Sequence, residues 1–192
     1  MTEPATEQAT TEPATGTLRG ERADLLESLR RHRGFLRQTV AGLTDEQART
    51  RSTVSELTLA SLIKHVADTE QGWIDFALGR PGAMGGDAGF DAEAMQAAME
   101  SGEFVDTRFQ LTDADTLPAL LEHYERVAAA TDEVVATADL DATQPLPSAP
   151  WFEPGAVWSV RRVLLHVLAE TSQHAGHADI IREAIDGAKT MG

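Results

Sequence analysis

Four long segments of this chain carry apolar residues at the spacing of an amphipathic helix, and this repeat constrains the fold more than any other feature. The segments run from about Leu18 to Gly42, Thr58 to Leu78, Thr116 to Ala138 and Ser159 to Asp186. Outside them, we find no stretch that alternates apolar and polar residues as a half-buried strand does. The pattern therefore predicts an all-α fold, namely a four-helix bundle.

Capping residues indicate where the helices begin and end. Thr116 and Ser159 are expected at N-cap positions, where a hydroxyl oxygen accepts a free backbone N–H. Thr44 and Gln47 have the spacing of a capping box, which predicts a short turn after the first helix. Gly187 follows the fourth helix as its expected stop.

The segments between the helices differ in composition. Residues 81–90 contain four glycines and predict a loop, whereas residues 91–101 consist of strong helix formers and predict a short inserted helix. Together they make a long crossover between the second and third helices. Residues 139–157 contain four prolines without periodicity, which predicts a long ordered loop. We expect residues 1–16 to be a disordered acidic tail, since they lack large apolar side chains, and residues 17–192 to form the bundle domain.

Composition excludes several classes of function. The chain has 16 Lys and Arg against 31 Asp and Glu, a net charge of −15, which argues against nucleic acid and anionic membranes as partners. Cysteine is absent, so thiolate metal sites, disulfides and cysteine nucleophiles are excluded. The N-terminal sequence has no export signal and no segment is apolar enough to span a membrane, so we expect the cytoplasm as location.

Polar residues interrupt the apolar face of the fourth predicted helix. With about 100° per residue and His166 at zero, the valine and isoleucine stripe falls between about 60° and 100°. On the same wheel Glu170, His174 and His177 fall at about 40°, 80° and 20°. A carboxylate on a buried face costs several kcal/mol unless it is paired. Either a metal ion or a hydrogen-bonded network that fixes helix register would compensate.

A metal site is the economical interpretation. Glu170 and His174 are spaced i, i+4 and project side by side, and His65 at the stripe edge of the second helix is the best third ligand. Such a His₂Glu set leaves a coordination position open for water or substrate, as in catalytic sites. Zinc suits these ligands, and nickel or iron would also be accepted.

Two segments resemble a known family. Residues 62–73 (LIKHVADTEQGW) and 170–182 (ETSQHAGHADIIR) resemble the DinB/YfiT-like superfamily, and the second resembles its mycothiol-transferase branch. The resemblance covers roughly residues 18–187. It implies a four-helix bundle with a long crossover, and His65, Glu170 and His174 as metal ligands. Members are often dimers, so a homodimer is open to this chain.

The resemblance also implies a reaction. A small-molecule thiol, mycothiol in the nearest branch, would be transferred to an electrophilic small molecule, and a divalent metal ion would stabilise its thiolate. His177 and His166 are the candidate catalytic residues, since imidazole exchanges protons near neutral pH. Trp158 and Arg161, or its neighbour Arg162, are candidates for binding the sugar part of the thiol.

Other interpretations stay open. A metal-dependent hydrolase, a non-catalytic stress-associated bundle that binds a metal or ligand, and a plain dimeric domain with a structural polar cluster all fit the pattern. Trp151 and Phe152 either belong to a loop that covers the site or only anchor that loop to the bundle. Trp73 is expected in the core, and the run Arg30–Arg33 is expected on a solvated or partner-facing surface.

Overall fold

The computed structural model describes residues 18–81, 83, 97–98, 100–101, 107–147, 149 and 151–190. Its helices are α1 (Glu21–Gln38), α2 (Asp45–Ala48), α3 (Leu59–Ala77), α4 (Leu117–Thr137) and α5 (Val160–Asp186), and its strands are β1 (Thr143–Pro145) and β2 (Val157–Ser159). The four long helices match the four periodic segments, so the predicted all-α bundle is confirmed. None of the described helices combines the length and the apolar character needed to cross a membrane.

The predicted caps are present where the sequence placed them. Thr44 and Gln47 form a capping box at α2. The Thr116 hydroxyl accepts the backbone N–H of Ala119 at the start of α4. Ser159 accepts the N–H of Arg162 at the start of α5, and Gly187 ends that helix with a left-handed φ of 80°.

Side-chain contacts show that α3 and α4 run parallel. Asp68 Oδ1 lies 3.1 Å from His123 Nε2, and Glu70 Oε1 accepts the Thr131 hydroxyl at 2.6 Å, so residue numbers rise together along both helices. Two consecutive parallel helices require a connection that returns along the bundle. The long crossover over residues 78–116 therefore follows from the topology.

Helix α5 lies beside both α1 and α3. It runs antiparallel to α3, because Trp73 contacts His166 at one end of the pair and His65 contacts His174 at the other. This antiparallel pairing brings two imidazole-bearing faces together along the length of the two helices. It is the element of the fold that positions the candidate site.

Parts of the predicted crossover and tail lie outside the described residues. Of the inserted helix expected at 91–101, residues 97–98 and 100–101 are described, and they are helical. The glycine-rich loop expected at 81–90 is described only at residues 81 and 83. The expected tail, residues 1–16, is wholly outside them.

The segment predicted as a long loop at 139–157 contains a strand, which corrects that expectation. β1 pairs antiparallel with β2, with Thr143 opposite Ser159 and Pro145 opposite Val157. Each strand has three residues, too few for an alternating pattern to be recognised in the sequence. Because β2 continues directly into α5, the hairpin places Trp158 next to the first turn of the helix that carries Glu170 and His174.

The core consists of two hydrophobic clusters, one toward each end of the bundle. Between them every long helix carries a buried polar residue, and the four are Arg33, Glu70, Thr131 and Thr171. The expectation of a solvated Arg30–Arg33 run is therefore wrong for Arg33, which is 4% exposed. Arg33 sits on the apolar stripe, four residues after Leu29 and three before Leu36, and its charge is paired with Glu70 at 2.5 Å.

Candidate functional site

Three potential metal ligands converge where α3 and α5 face each other. One ligand atom from each of His65, Glu170 and His174 lies within 4.8 Å of the other two. Glu170 and His174 stand one turn apart on α5, and Glu170 Oε2 lies 3.5 Å from His174 Nε2. His65 comes from α3, and its ring meets that of His174 edge to face at 4.8 Å between centroids.

The electrostatics of this cluster favour an ionised carboxylate. The hydrogen bond with His174, with help from the nearby imidazoles, lowers the pKa of Glu170 although partial burial opposes this. His65 is 5% exposed and His174 is 9% exposed, so both rings are largely withdrawn from water. A negative oxygen and two imidazoles in a poorly solvated place make an attractive site for a divalent cation.

The residues present fit such a cation. His174 Nδ1 is buried without a hydrogen-bond partner among the described residues, so the surrounding protein leaves one nitrogen of this ring unused. Two ligands of one zinc ion, each at about 2.1 Å, lie at most about 4.2 Å apart. The ligand atoms here lie within 4.8 Å of one another, so the cluster needs only small side-chain movements to close on one ion.

A cavity of about 440 Å³ opens onto this cluster. Glu170 and His65 line one part of it, and the other lining residues come from α3, from α5, from the turn at 107–110 and from the loop between β1 and β2. Those other residues are Asp68, Thr69, Gly72, Trp73, Arg108, Trp151, Phe152 and His166. The cavity thus connects a polar end, near the three ligands, with an aromatic end.

His166 stands between the two ends of the cavity. Its Nε2 atom lies 3.8 Å from Glu170 Oε1, and its ring is held edge-on by Trp73 at 4.6 Å and Trp158 at 5.2 Å. Burial lowers the pKa of His166, with Glu170 opposing the shift. The imidazole is therefore neutral at pH 7 and can accept a proton.

The other residues predicted for the site fall in different places. Trp158 does not line the cavity but stacks behind Trp73 at 4.8 Å, with 14° between the rings. Arg161 lies on the outer surface, where it pairs with Glu21 at 2.5 Å and with Asp141. His177 is exposed, with its ring 5.5 Å from that of His174. The helical wheel had placed His177 on the buried face.

The structure adds residues that sequence reasoning did not assign to the site. Trp73 belongs to the core as expected, but it also lines the cavity, as does its neighbour Gly72. Arg108 and Phe109 come from a turn, and the Phe109 ring covers His65 at 4.2 Å between centroids. Helical spacing could have indicated Gly72 and Trp73, which lie two turns after His65, whereas no local signal indicates the turn.

Comparisons with known proteins show the fold and the family of the chain. A crystal structure of a conserved protein from Enterococcus faecalis superposes with a TM-score of 0.61 at 14% identity, covering 89% of this chain and 100% of that one, which shows a shared fold. Among curated proteins there is no significant match. The family model for mycothiol S-transferases matches residues 24–187, which span α1 to α5 and the complete site. The chain therefore belongs to the mycothiol S-transferase family.

Proposed function

We propose that this protein transfers mycothiol to an electrophilic small molecule at a divalent metal ion held by His65, Glu170 and His174. The observation that carries the proposal is the convergence of these three side chains at one end of a cavity large enough to admit a substrate. The family name implies transferase chemistry with mycothiol. A chain without cysteine must receive its sulfur nucleophile from a cosubstrate, as this reaction requires.

The residues of the chain have separate tasks in this reaction. A divalent cation, when bound, lowers the pKa of a thiol that coordinates it. His166, neutral at pH 7 and facing Glu170, accepts the thiol proton at Nε2 and later releases it to solvent. The sulfur electron pair then forms a bond to the electrophilic carbon of the acceptor, while the bond to the leaving group breaks and that group departs with its electron pair.

Metal analysis tests the site itself. Wild-type protein purified without added metal, then loaded with zinc and dialysed, should retain about one ion per chain. Glu170→Ala and His174→Ala should lose it, because each removes a ligand from a set of three. His32→Ala on α1 is the matched control, since it removes a histidine that contacts Phe35 far from the cluster. Stoichiometric zinc in the two ligand variants would refute the assignment.

Turnover tests the reaction class. The zinc-loaded protein is incubated with mycothiol and iodoacetamide, with one control lacking thiol and another lacking protein. Formation of the thioether at a protein-dependent rate supports the transferase. Acceptor consumption without thiol would instead support the hydrolase alternative, and zinc binding without turnover of any acceptor would support a binding bundle. His166→Gln should lower kcat about 10²-fold or more if it accepts the proton.

Several finer statements belong to this proposal and remain predictions. They are zinc as the ion, the cytoplasm as the compartment, a homodimer as the assembly, and His177 as a second group that handles protons. His177 is exposed and lies next to His174, which suits exchange with solvent better than direct contact with the reacting atoms. Arg161 is engaged with two carboxylates on the outer surface, so its guanidinium does not bind the sugar part of the thiol in this proposal.

A further inference from the structure

We propose that the aromatic end of the cavity selects planar aromatic electrophiles as the acceptors of this enzyme, and that Gly72 and Trp151 determine this selectivity. The proposal rests on the proposed thiol transfer and names the class of its second substrate. It is carried by the position of the aromatic residues relative to the three ligands and by the open space at Gly72.

The two ends of the cavity lie along the same pair of helices, α3 and α5. His65 and Trp73 are eight residues apart on α3, or about 12 Å along the helix axis. His174 and His166 cover the same interval on the antiparallel α5, and Glu170 lies one turn from each of them. A thiol sulfur near the three ligands would therefore meet a ring that rests on the aromatic end, with His166 beside the reacting atoms.

The aromatic end is a rigid platform. Trp73 is 7% exposed and is held by Trp158 on one face and by Phe76 edge-on. Behind it, the Arg162 guanidinium lies 4.3 Å from the Trp158 ring centroid. Rings fixed in this way offer a flat apolar surface at little entropic cost, and a planar conjugated molecule matches such a surface by stacking.

The distribution of polar groups assigns the two substrates to opposite ends. Asp68 and Arg108 line the cavity near His65 and Phe109, so charged side chains concentrate at the end where a sugar thiol is the better occupant. At the other end Trp73, Trp151 and Phe152 dominate the described lining, and the nearest polar side chain is His166, which lies between the two ends. A sugar stacked there would have most of its hydroxyl groups unpaired, so the aromatic acceptor is the better occupant.

The missing side chain at Gly72 leaves space in the cavity for the acceptor. A Cβ atom added at Gly72 would meet no atom within 4 Å in the described part of the chain, although this residue lies in α3 directly before Trp73. A side chain there would extend into the cavity without displacing its neighbours. Trp151 lines the cavity from the loop between β1 and β2 and is 55% exposed, so much of its ring is open to a planar molecule.

Binding of an unreactive ring tests the platform independently of metal and turnover. The chain has three tryptophans, and all three lie at or behind the aromatic end, so intrinsic fluorescence reports on it. We expect 1,3-dinitrobenzene to quench this fluorescence saturably. Gly72→Leu should weaken its binding at least tenfold, while Gly34→Leu, at an exposed glycine of α1 that also has open space, should not. Thermal melting of both variants checks that they are folded.

Selectivity in turnover tests the assignment to the acceptor. With 1-chloro-2,4-dinitrobenzene, the sulfur bonds to the ring carbon, the carbon–chlorine bond breaks, chloride leaves with the electron pair and the thiol proton passes to solvent. For each enzyme, kcat/KM for this aromatic acceptor is divided by kcat/KM for iodoacetamide. This ratio should be at least tenfold lower in Trp151→Ala and in Gly72→Leu than in the wild type. The KM for mycothiol should stay within twofold.

The outcomes separate this inference from the proposed function. Thiol transfer to iodoacetamide with unchanged selectivity in both variants would overturn the inference and leave the proposed function standing. If the two variants instead raise the KM for mycothiol, the aromatic end binds the thiol, and this result would also overturn the inference. Absence of transfer to any acceptor would overturn the proposed function, and linear, unsaturable quenching by 1,3-dinitrobenzene that is equal in all variants would overturn the platform on its own.

Discussion

Two polar clusters lie inside this bundle, and they differ in whether their hydrogen-bonding groups are satisfied. In the closed cluster, Arg33 donates to both carboxylate oxygens of Glu70, at 2.5 and 3.2 Å, and Thr131 adds a third donor at 2.6 Å. In the open cluster, Glu170 lies beside two imidazoles, His174 Nδ1 is buried without a partner among the described residues, and a cavity gives access.

The comparison shows how buried polar residues that stabilise a helical core can be distinguished from buried polar residues that bind a ligand. Glu70 is 1% exposed and fully paired, so it has nothing left to offer a ligand. Glu170 is only partly buried and keeps its charge, and the imidazoles of His166 and His174 lie 3.8 and 3.5 Å from its carboxylate. Satisfied groups fix the packing of α1, α3 and α4, whereas unsatisfied groups beside a cavity indicate a binding site.

The largest effect is expected from breaking the closed cluster. Arg33→Met leaves the Glu70 carboxylate buried without its cation, so the free energy of unfolding should fall by about 3–5 kcal/mol. Denaturation in urea, followed by circular dichroism, measures this. The affinity for zinc of the folded variant should be unchanged, because Arg33 and Glu70 do not take part in the open cluster.

A double variant serves as the control for this prediction. Arg33→Met combined with Glu70→Met removes both charges, and buried pairs replaced by apolar residues are often neutral in stability. Most of the lost free energy should therefore return, since Asp132 keeps its pairing with Arg30 at 2.8 Å. If the single and double variants are equally destabilised, packing rather than charge pairing explains the role of Arg33.

For the open cluster, we expect the free energy of unfolding to depend more on bound metal than on the loss of one side chain. At a zinc concentration 100-fold above Kd, the free energy of unfolding should rise by about 2.7 kcal/mol, and a chelator should reverse this. Metal-free His174→Leu should lose at most about 1 kcal/mol, because the substitution ends the contact with the partly exposed Glu170 but also removes a buried nitrogen that has no partner among the described residues. Calorimetric melting with and without zinc measures both. Destabilisation of the metal-free variant by several kcal/mol would make His174 a structural residue.

Much of the fold could be predicted because helix spacing and helix ends are determined by residues that are close together in the sequence. Residues such as Thr44, Ser159 and Gly187 mark helix ends by their own chemistry, and the structure has them at those ends. The hairpin could not be predicted, because its three-residue strands are held by pairing across the loop rather than by a pattern within it.

Part of the candidate site could also be predicted, because two of its residues lie on one helix and their spacing is visible in the sequence. Glu170 and His174 share one helix, so their i, i+4 spacing is visible locally, and His65 lay at a stripe edge. The wheel placed His177 inward, yet the residue is exposed, because a wheel does not show where neighbouring helices stop covering a face. The pairing of Arg33 with Glu70 depends on how α1 and α3 meet, which no single segment records.

The smallest effect concerns pH and the half-buried His166. Burial lowers the pKa of its imidazole in the folded protein below the value near 6.5 expected for the unfolded chain. Between the two values the unfolded chain binds more protons, so stability rises with pH through this window and is lost as pH falls below about 6.5. The free energy of unfolding of metal-free wild type should therefore decline more than that of His166→Gln between about pH 7.5 and 5.5.

The size and sign of this difference sharpen the comparison between the clusters. His166 is partly solvated, so the effect should stay well below the roughly 1.4 kcal/mol that one full pKa unit represents. Arg33 in the closed cluster stays protonated throughout this range, because pairing with Glu70 and Asp132 raises the pKa of its guanidinium further although burial opposes this. A wild type that gains stability relative to His166→Gln on acidification would mean that Glu170 holds a proton on His166. The open cluster would then contain an ion pair like the closed one, and Glu170 would be less available to a cation.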